Sequence, residues 1–331
     1  MDYTTQIRLA LKELHPDTNE SSLDTYVSQT EKVYQNVFGI NLNTRPSLKL
    51  GKGGMKAIEN YLSQFADTTK ANYYSAILEV MKAMKFNPVI AEKFKEKRDE
   101  NQEKYNSIQD GLKSKKQEEQ FVSAKLLDDL IKKYTQEIKG GSEDRDLMQI
   151  WMILKLLKKF RFRNEVATLE FVDKNTYDTE KEKGTTNKNM IVLAPQGWFI
   201  SKNKYKTQKK YGEEIIPLKG GILKDLEFFY EKVGKGPLFR SSFQQTKRPT
   251  TMTPNALSKY LIRWSNKALP PVKNADGSKK PRNLSTTMIT KVYESAELGE
   301  AKKSLIKDSK NRGNKPETMM KVYVSSKKPK I

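Results

Sequence analysis

Arg161 and Arg163 (in KKFRFRNEVATLEF), Lys206 (in NKYKTQKKYG) and Tyr323 (in TMMKVYV) have side chains that together suit one reaction, attack of a tyrosine hydroxyl on a DNA phosphate. That reaction needs a nucleophilic hydroxyl, cations around the phosphoryl oxygens where negative charge accumulates, and an acid for the departing 5′ oxygen. Arginine suits the clamp, because its planar fork matches a phosphate bidentately. Lysine suits the acid, because partial burial among cations lowers its pKa. Each residue also has a plainer reading. Arg161 and Arg163 follow Lys158 and Lys159 as the solvated basic end of a helix would. Lys206 lies among Lys202, Lys204, Lys209 and Lys210, a cluster that equally suits contacts with a phosphate backbone. Tyr323 stands at helical spacing from Met319 and Met320, as a core aromatic would, and Tyr293 (in TKVYES) reads as core.

The elements that must position these residues follow from periodicity. SAKLLDDLIKKYTQEIK predicts a helix capped by Ser123 and stopped by Gly140–Gly141. DLMQIWMILKLLKKF is apolar nearly all round and predicts a buried central helix. After Arg163, the segments MIVLAP, GWFISKNKYKT and YGEEIIPL predict a small antiparallel sheet of three strands, with Lys206 near the tip of a hairpin. Helices return with LKDLEFFYEKV, with TPNALSKYLIRWSNKAL (Thr253 as cap, Pro254 in the first turn), and with TMITKVYESAEL and PETMMKVYV. Trp151, Trp198 and Trp264 read as core or edge-packing residues.

The N-terminal part reads as helices. Ser22 or Asp24 is the expected cap of TYVSQTEKVYQNVFG, and Thr68 or Thr69 of TTKANYYSAILEVMKAMKF, with MKAIENYLSQF between them. Residues 46–56 (PSLKLGKGGMK) predict a basic glycine-rich loop that could touch a DNA backbone through Lys49, Lys52 and Lys56. Gly51, Gly53 and Gly54 do not form a nucleotide-binding pattern. The stretch 91–120 is almost wholly polar and predicts a solvated helix running into a linker. The expected organisation is a helical domain over 1–110, a linker over 111–120 and a second domain over 121–331, in a mainly α protein of α+β class.

Composition narrows the chemistry. Of 331 residues, 36% are hydrophobic and 31% charged, enough apolar material for two cores at roughly 100–200 residues per domain. With no cysteine, disulfides, zinc–thiolate clusters and thiol catalysis are excluded. The single histidine, His15, cannot alone supply a histidine metal site or a Ser/His/Asp triad, and it reads as a solvated residue near a helix end. No apolar run approaches the length of a membrane span, and no secretory leader pattern opens the chain. The expected setting is intracellular and DNA-associated, without membrane, metal or cofactor. Charge is asymmetric. Residues 1–120 carry 18 Lys/Arg against 17 Asp/Glu, a net +1, whereas residues 121–331 carry 44 against 23, a net +21. Such concentration in one half is the footprint of a polyanion partner.

On these residues the chain resembles the tyrosine recombinases, or phage-type integrases, most of all those of large DNA viruses and related transposons. FRNEVATLEF resembles the segment with the family's first arginine, Arg163, or Arg161 in the other register. NKYKT before YGEEIIPL resembles the hairpin with the catalytic lysine, Lys206. STTMITKVYESAEL resembles the His-x-x-Arg helix, and GNKPETMMKVY resembles the last motif, which ends in the nucleophile, Tyr323. The resemblance implies a helical core-binding domain and a catalytic domain that clamp duplex DNA, a 3′-phosphotyrosyl intermediate without a cofactor, and a homo-oligomer on DNA. The chain departs from the pattern at Thr287, Thr290 and Asn314, which replace phosphate-contacting residues, and Arg161, Lys291 and Arg312 are nearby cations that could compensate. The eight residues after Tyr323 (VSSKKPKI) are too short for an exchanged docking helix. Two alternatives stay open: an inactive descendant with an architectural or regulatory role on DNA, and a basic RNA-binding or packaging protein of another fold.

Overall fold

The computed structural model describes residues 2–39, 41, 52–108, 119–184, 188–205, 208–240, 251–273 and 277–311, with backbone alone at 52, 107–108, 209–210 and 300–311. The chain divides into two units, Met1–Ser114 and Lys115–Ile331. The division falls inside the polar stretch expected to link two domains. The described residues are mostly helical, with a small mixed sheet in the second unit.

The described part of the first unit holds α1 (Tyr3–Leu14), α2 (Glu20–Phe38), α3 (Lys52–Leu62), α4 (Asp67–Ala83) and α5 (Pro88–Ile108). Asp2 caps α1 by accepting from the Thr5 amide, and Asn19 caps α2 by accepting from the Ser22 amide. The cap of α2 is therefore Asn19, ahead of both expected residues. α4 likewise starts ahead of Thr68 and Thr69. Ala66 stands at its cap without a side-chain bond, and Asp67 in the first turn meets the positive end of the helix dipole. α4 is buried on most of its circumference (Tyr73, Tyr74, Ile77, Leu78, Val80, Met81) and packs against α1, α2 and α5. α5 sinks Phe94 into this core while most of its surface stays polar, as its composition requires. The glycine-rich loop expected to reach residue 56 gives way to α3 at Lys52. Met55, Ile58 and Leu62 recur on one face and pack into the core, and this apolar face outweighs the weak helix propensity of Gly53 and Gly54.

The described second unit begins with α6 (Ala124–Lys139) and α7 (Arg145–Phe160). Ser123 accepts from the Leu126 amide as the expected cap, and Gly140 ends α6. α7 is the buried central helix: all of Met148–Leu154, with Leu156 and Leu157, is buried. Trp151 is fully buried and its indole N–H donates to Thr135 Oγ1 at 2.8 Å. Trp264 donates to Tyr134 OH at 3.1 Å, and Trp198 packs edge-on against Phe171.

A 3₁₀ turn (Asn164–Thr168) follows. Then come β1 (Leu169–Asp173), α8 (Lys174–Glu182), β2 (Asn189–Leu193), β3 (Phe199–Lys202), the short α9 (Gln208–Tyr211), β4 (Glu214–Pro217), α10 (Gly221–Val233) and β5 (Gly236–Pro237). The sheet order is β4-β3-β2-β1-β5, with β1 and β2 parallel and the other pairs antiparallel. The expected small antiparallel sheet of three strands is therefore corrected to a mixed sheet of five. Parallel neighbours need a crossover, and α8 supplies it while covering one face of the sheet. Tyr177 of α8 packs there with Val172, Met190 and Val192, whereas Phe171, Ile191 and Ile200 face the main core with Leu226 and Phe229. α11 (Pro254–Ala268), the ribbon β6–β7 (Val272–Lys273, Lys279–Lys280) and α12 (Thr286–Asn311) complete the described chain. Thr253 caps α11 by accepting from the Ala256 amide, with Pro254 in the first turn. Among the described residues, no helix is long and apolar enough to cross a membrane.

Candidate nucleic-acid interface

α7 ends by turning back on itself. Arg161 adopts a left-handed conformation (φ 55°, ψ 29°), and its amide donates to the Leu157 carbonyl. For a residue with a Cβ this conformation costs about 1 kcal/mol. Burial of the next residue, Phe162, stacked on Phe160 with ring centroids 5.2 Å apart, offsets that cost. The reversal delivers Arg161, Arg163 and Glu165 to the rim of an open cleft of about 540 Å³, which Lys202, Tyr205, Tyr211, Glu213 and Glu214 also line.

Asn189, 1% exposed at the start of β2, fastens this arrangement. Its Oδ1 accepts from the Asn203 amide (3.0 Å) and the Lys204 amide (2.8 Å). Its Nδ2 donates to Lys204 O and Thr168 Oγ1 (3.0 Å each) and to Glu165 O (3.3 Å). One side chain thus ties the segment carrying Arg163 to the exit of β3. Tyr205 OH donates to the Gly212 carbonyl at 2.9 Å and closes the β3–β4 connection. Glu213 accepts from Ser201 (2.6 Å), Tyr177 (2.7 Å) and Lys181 (3.0 Å). Burial alone would raise its pKa, but these three donors outweigh burial and hold it below the ordinary glutamate value.

The cations differ sharply in their partners. Arg163 is exposed and makes no ion pair among the described residues. Lys202, expected to contact phosphate, is spent within the protein. Its ammonium lies 2.8 Å from Glu214 and 3.9 Å from Glu165, over the Tyr205 ring at 4.4 Å. Lys204 and Lys56 are exposed, and Lys56 lies in α3 of the first unit. The guanidinium of Arg161 lies over the Tyr293 ring at 5.0 Å, with one amino group on Glu297. Its Nε and Nη1 are buried with no partner among the described residues. Tyr293 is core, as expected. Burial, and then the Asp128 carboxylate that its hydroxyl meets at 3.0 Å, push its pKa far above the ordinary tyrosine value.

On α12, Thr287 is exposed, Thr290 is buried at 5% exposure and donates to the Thr287 carbonyl at 3.0 Å, and Lys291 is half-buried. Thr286 donates to Asn164 Oδ1 at 2.6 Å, joining α12 to the 3₁₀ turn after Arg163. Lys49, Lys206, Arg312, Asn314 and Tyr323 lie outside the described residues. So do the side chains of Lys52, Lys209 and Lys210. His15 sits at the end of α1 and meets Glu79 at 2.8 Å.

Among the described residues, no group of His, Cys, Asp and Glu could hold a metal ion. No protein-family model matches the chain, and no curated protein matches it.

Sequence reasoning missed Asn189, Glu213 and the tyrosine walls. Asn189 looked like the polar residue before a strand, and only its long-range partners reveal its role. Glu213 carried a weak signal, an acidic residue between the turn at Gly212 and β4.

Proposed function

We propose that the chain binds duplex DNA through its second unit, and that it is a tyrosine recombinase-like protein with a reduced phosphate clamp. The observation that carries this reading is the cleft beside the β3–β4 hairpin. There Arg161 and Arg163, two residues apart in a half of net charge +21, line one cleft with Lys202, Tyr205 and Tyr211. The three carboxylates of the same cleft are each engaged by a donor or a cation of the protein. Glu213 is bonded by Ser201, Tyr177 and Lys181, and Glu165 and Glu214 both face Lys202. Arg163 is left exposed to receive a phosphate oxygen. The hairpin between residues 190 and 218 also favours this reading over a basic RNA-binding protein of unrelated fold.

In the proposed reaction, Tyr323 attacks the phosphorus. A bond forms from its phenolic oxygen, whose proton passes to solvent, as the bond to the 5′ oxygen breaks, with Arg163 on the phosphoryl oxygens. Lys206 gives the departing 5′ oxygen its proton, and the 3′-phosphotyrosyl link conserves the phosphodiester energy. Two copies or more on DNA would be needed to exchange strands.

The burial of Thr290, with its hydroxyl turned to the Thr287 carbonyl, favours a second reading, a DNA-binding descendant that no longer cleaves. A nicked duplex that traps covalent protein–DNA adducts separates the two. Adducts with the unaltered chain and none with Tyr323→Phe support the enzyme. DNA binding without adducts supports the descendant. Failure to bind duplex DNA overturns both.

A further inference from the structure

We propose that Arg161 is a second phosphate-binding arginine of the cleft, held in the free protein by Glu297, a carboxylate that a DNA phosphate displaces. The inference rests on the DNA-binding reading above and concerns how the cleft completes its clamp. Three features of Arg161 support the inference. Its backbone is left-handed although it has a Cβ, where glycine is the usual residue. Its Nε and Nη1 are buried with no partner among the described residues, an arrangement that folded proteins rarely leave in place without a use. And the one carboxylate on its guanidinium, that of Glu297, has a side chain 69% exposed, whereas the arginine side chain is 22% exposed.

An ion pair with so exposed a partner contributes little to stability and separates readily. The other contacts hold the arginine in place. The Tyr293 ring lies against its flat face, and Tyr293 is itself fixed by its bond to Asp128. A guanidinium that is stacked, buried along one edge and covered by a displaceable carboxylate is preorganised for a tetrahedral oxyanion, since little rotamer freedom remains to be lost on binding. Arg163, two residues on, lines the same cleft with no carboxylate on it among the described residues. The two arginines therefore reach the cleft from one chain reversal. The Tyr293–Glu297 face that receives Arg161 continues the row of Thr290, at positions i, i+3 and i+7 of α12.

The test uses the full chain and a labelled duplex of mixed sequence, with affinity measured across salt concentrations for Arg161→Gln, Glu297→Gln, the double variant and Arg163→Gln, each checked by thermal melting. Arg161→Gln should weaken binding by about 10-fold or more and lower the salt slope by about 0.9, the loss of one phosphate contact. Glu297→Gln should strengthen binding several-fold, and this gain should vanish in the double variant. Should Arg161→Gln fail to fold, Glu297→Gln still decides, because its exposed carboxylate makes no other contact among the described residues. Unchanged or weaker binding by Glu297→Gln overturns the proposal. So does wild-type affinity and slope in Arg161→Gln when Arg163→Gln is weakened. If Arg163→Gln also leaves binding unchanged, the cleft does not bind DNA, and the functional reading itself fails.

Discussion

Asn189→Leu removes the fastening between the Arg163 segment and the β3 exit while nearly preserving side-chain volume. The substitution strands the Asn203 and Lys204 amides, which now donate to Asn189 Oδ1, and takes a donor from the Lys204 and Glu165 carbonyls and from Thr168 Oγ1. The Asn203 amide is buried and has no water to turn to. At about 1–3 kcal/mol for each buried group left unpaired, and with the apolar replacement recovering part of the loss, a destabilisation of about 3 kcal/mol is expected. For a unit of this size that corresponds to a melting temperature lower by about 6–12 °C. Thermal melting by circular dichroism or calorimetry reads it directly. Below the transition, duplex DNA binding should weaken as well, because Arg163 and the hairpin no longer share a fixed frame. Asn189→Asp should fall between the two, since its carboxylate still accepts from both amides but cannot donate. A melting temperature within about 2 °C of the wild type for Asn189→Leu would refute the reasoning, and would mean that the loop amides find other partners.

Trp151→Ala should cost about 3–5 kcal/mol, because it leaves a large cavity where the buried indole packs in the core and removes its bond to Thr135 Oγ1, and denaturant melts of the full chain would show it. Glu213 is held below its ordinary value near 4.5 in the folded protein. The stability it contributes is therefore present above its unfolded pKa and is lost as pH falls through the lower folded value. Wild-type stability should decline across that acidic window, and Glu213→Gln should be less stable at neutral pH with a shallower decline, measured as melting temperature against pH. An equal acid slope in both proteins would contradict the role given to the Ser201, Tyr177 and Lys181 bonds.

Much of the frame was legible from local pattern. Ser123 and Thr253 could be read as caps because the signal lies within four residues of the helix start, and α7 because an all-round apolar run of helical length has one sensible place. The β3–β4 hairpin was visible in alternation and turn residues. Local pattern failed where partners lie far away. β1 was hidden because LEFVD follows a basic segment without a turn signal, and its pairing with β2 requires a crossover that periodicity does not announce. The cap of α2 was missed because Asn19, Ser21, Ser22 and Asp24 crowd its start and backbone geometry chooses among them, and that of α4 because the cap position falls on Ala66, which carries no capping side chain. In the site, residue types gave the arginines, but the contrast between a spent Lys202 and an exposed Arg163 depends on Glu165 and Glu214, which only the folded sheet brings near.

The central claim, that the second unit binds duplex DNA through its concentrated positive charge, is tested most directly by the salt dependence of duplex affinity for the unaltered chain. For about 6–10 phosphate contacts, affinity should fall by about 10³–10⁵ between 50 and 200 mM salt, linearly in log–log form. Affinity that stays flat across that range, or no measurable duplex binding at 50 mM salt, would contradict it.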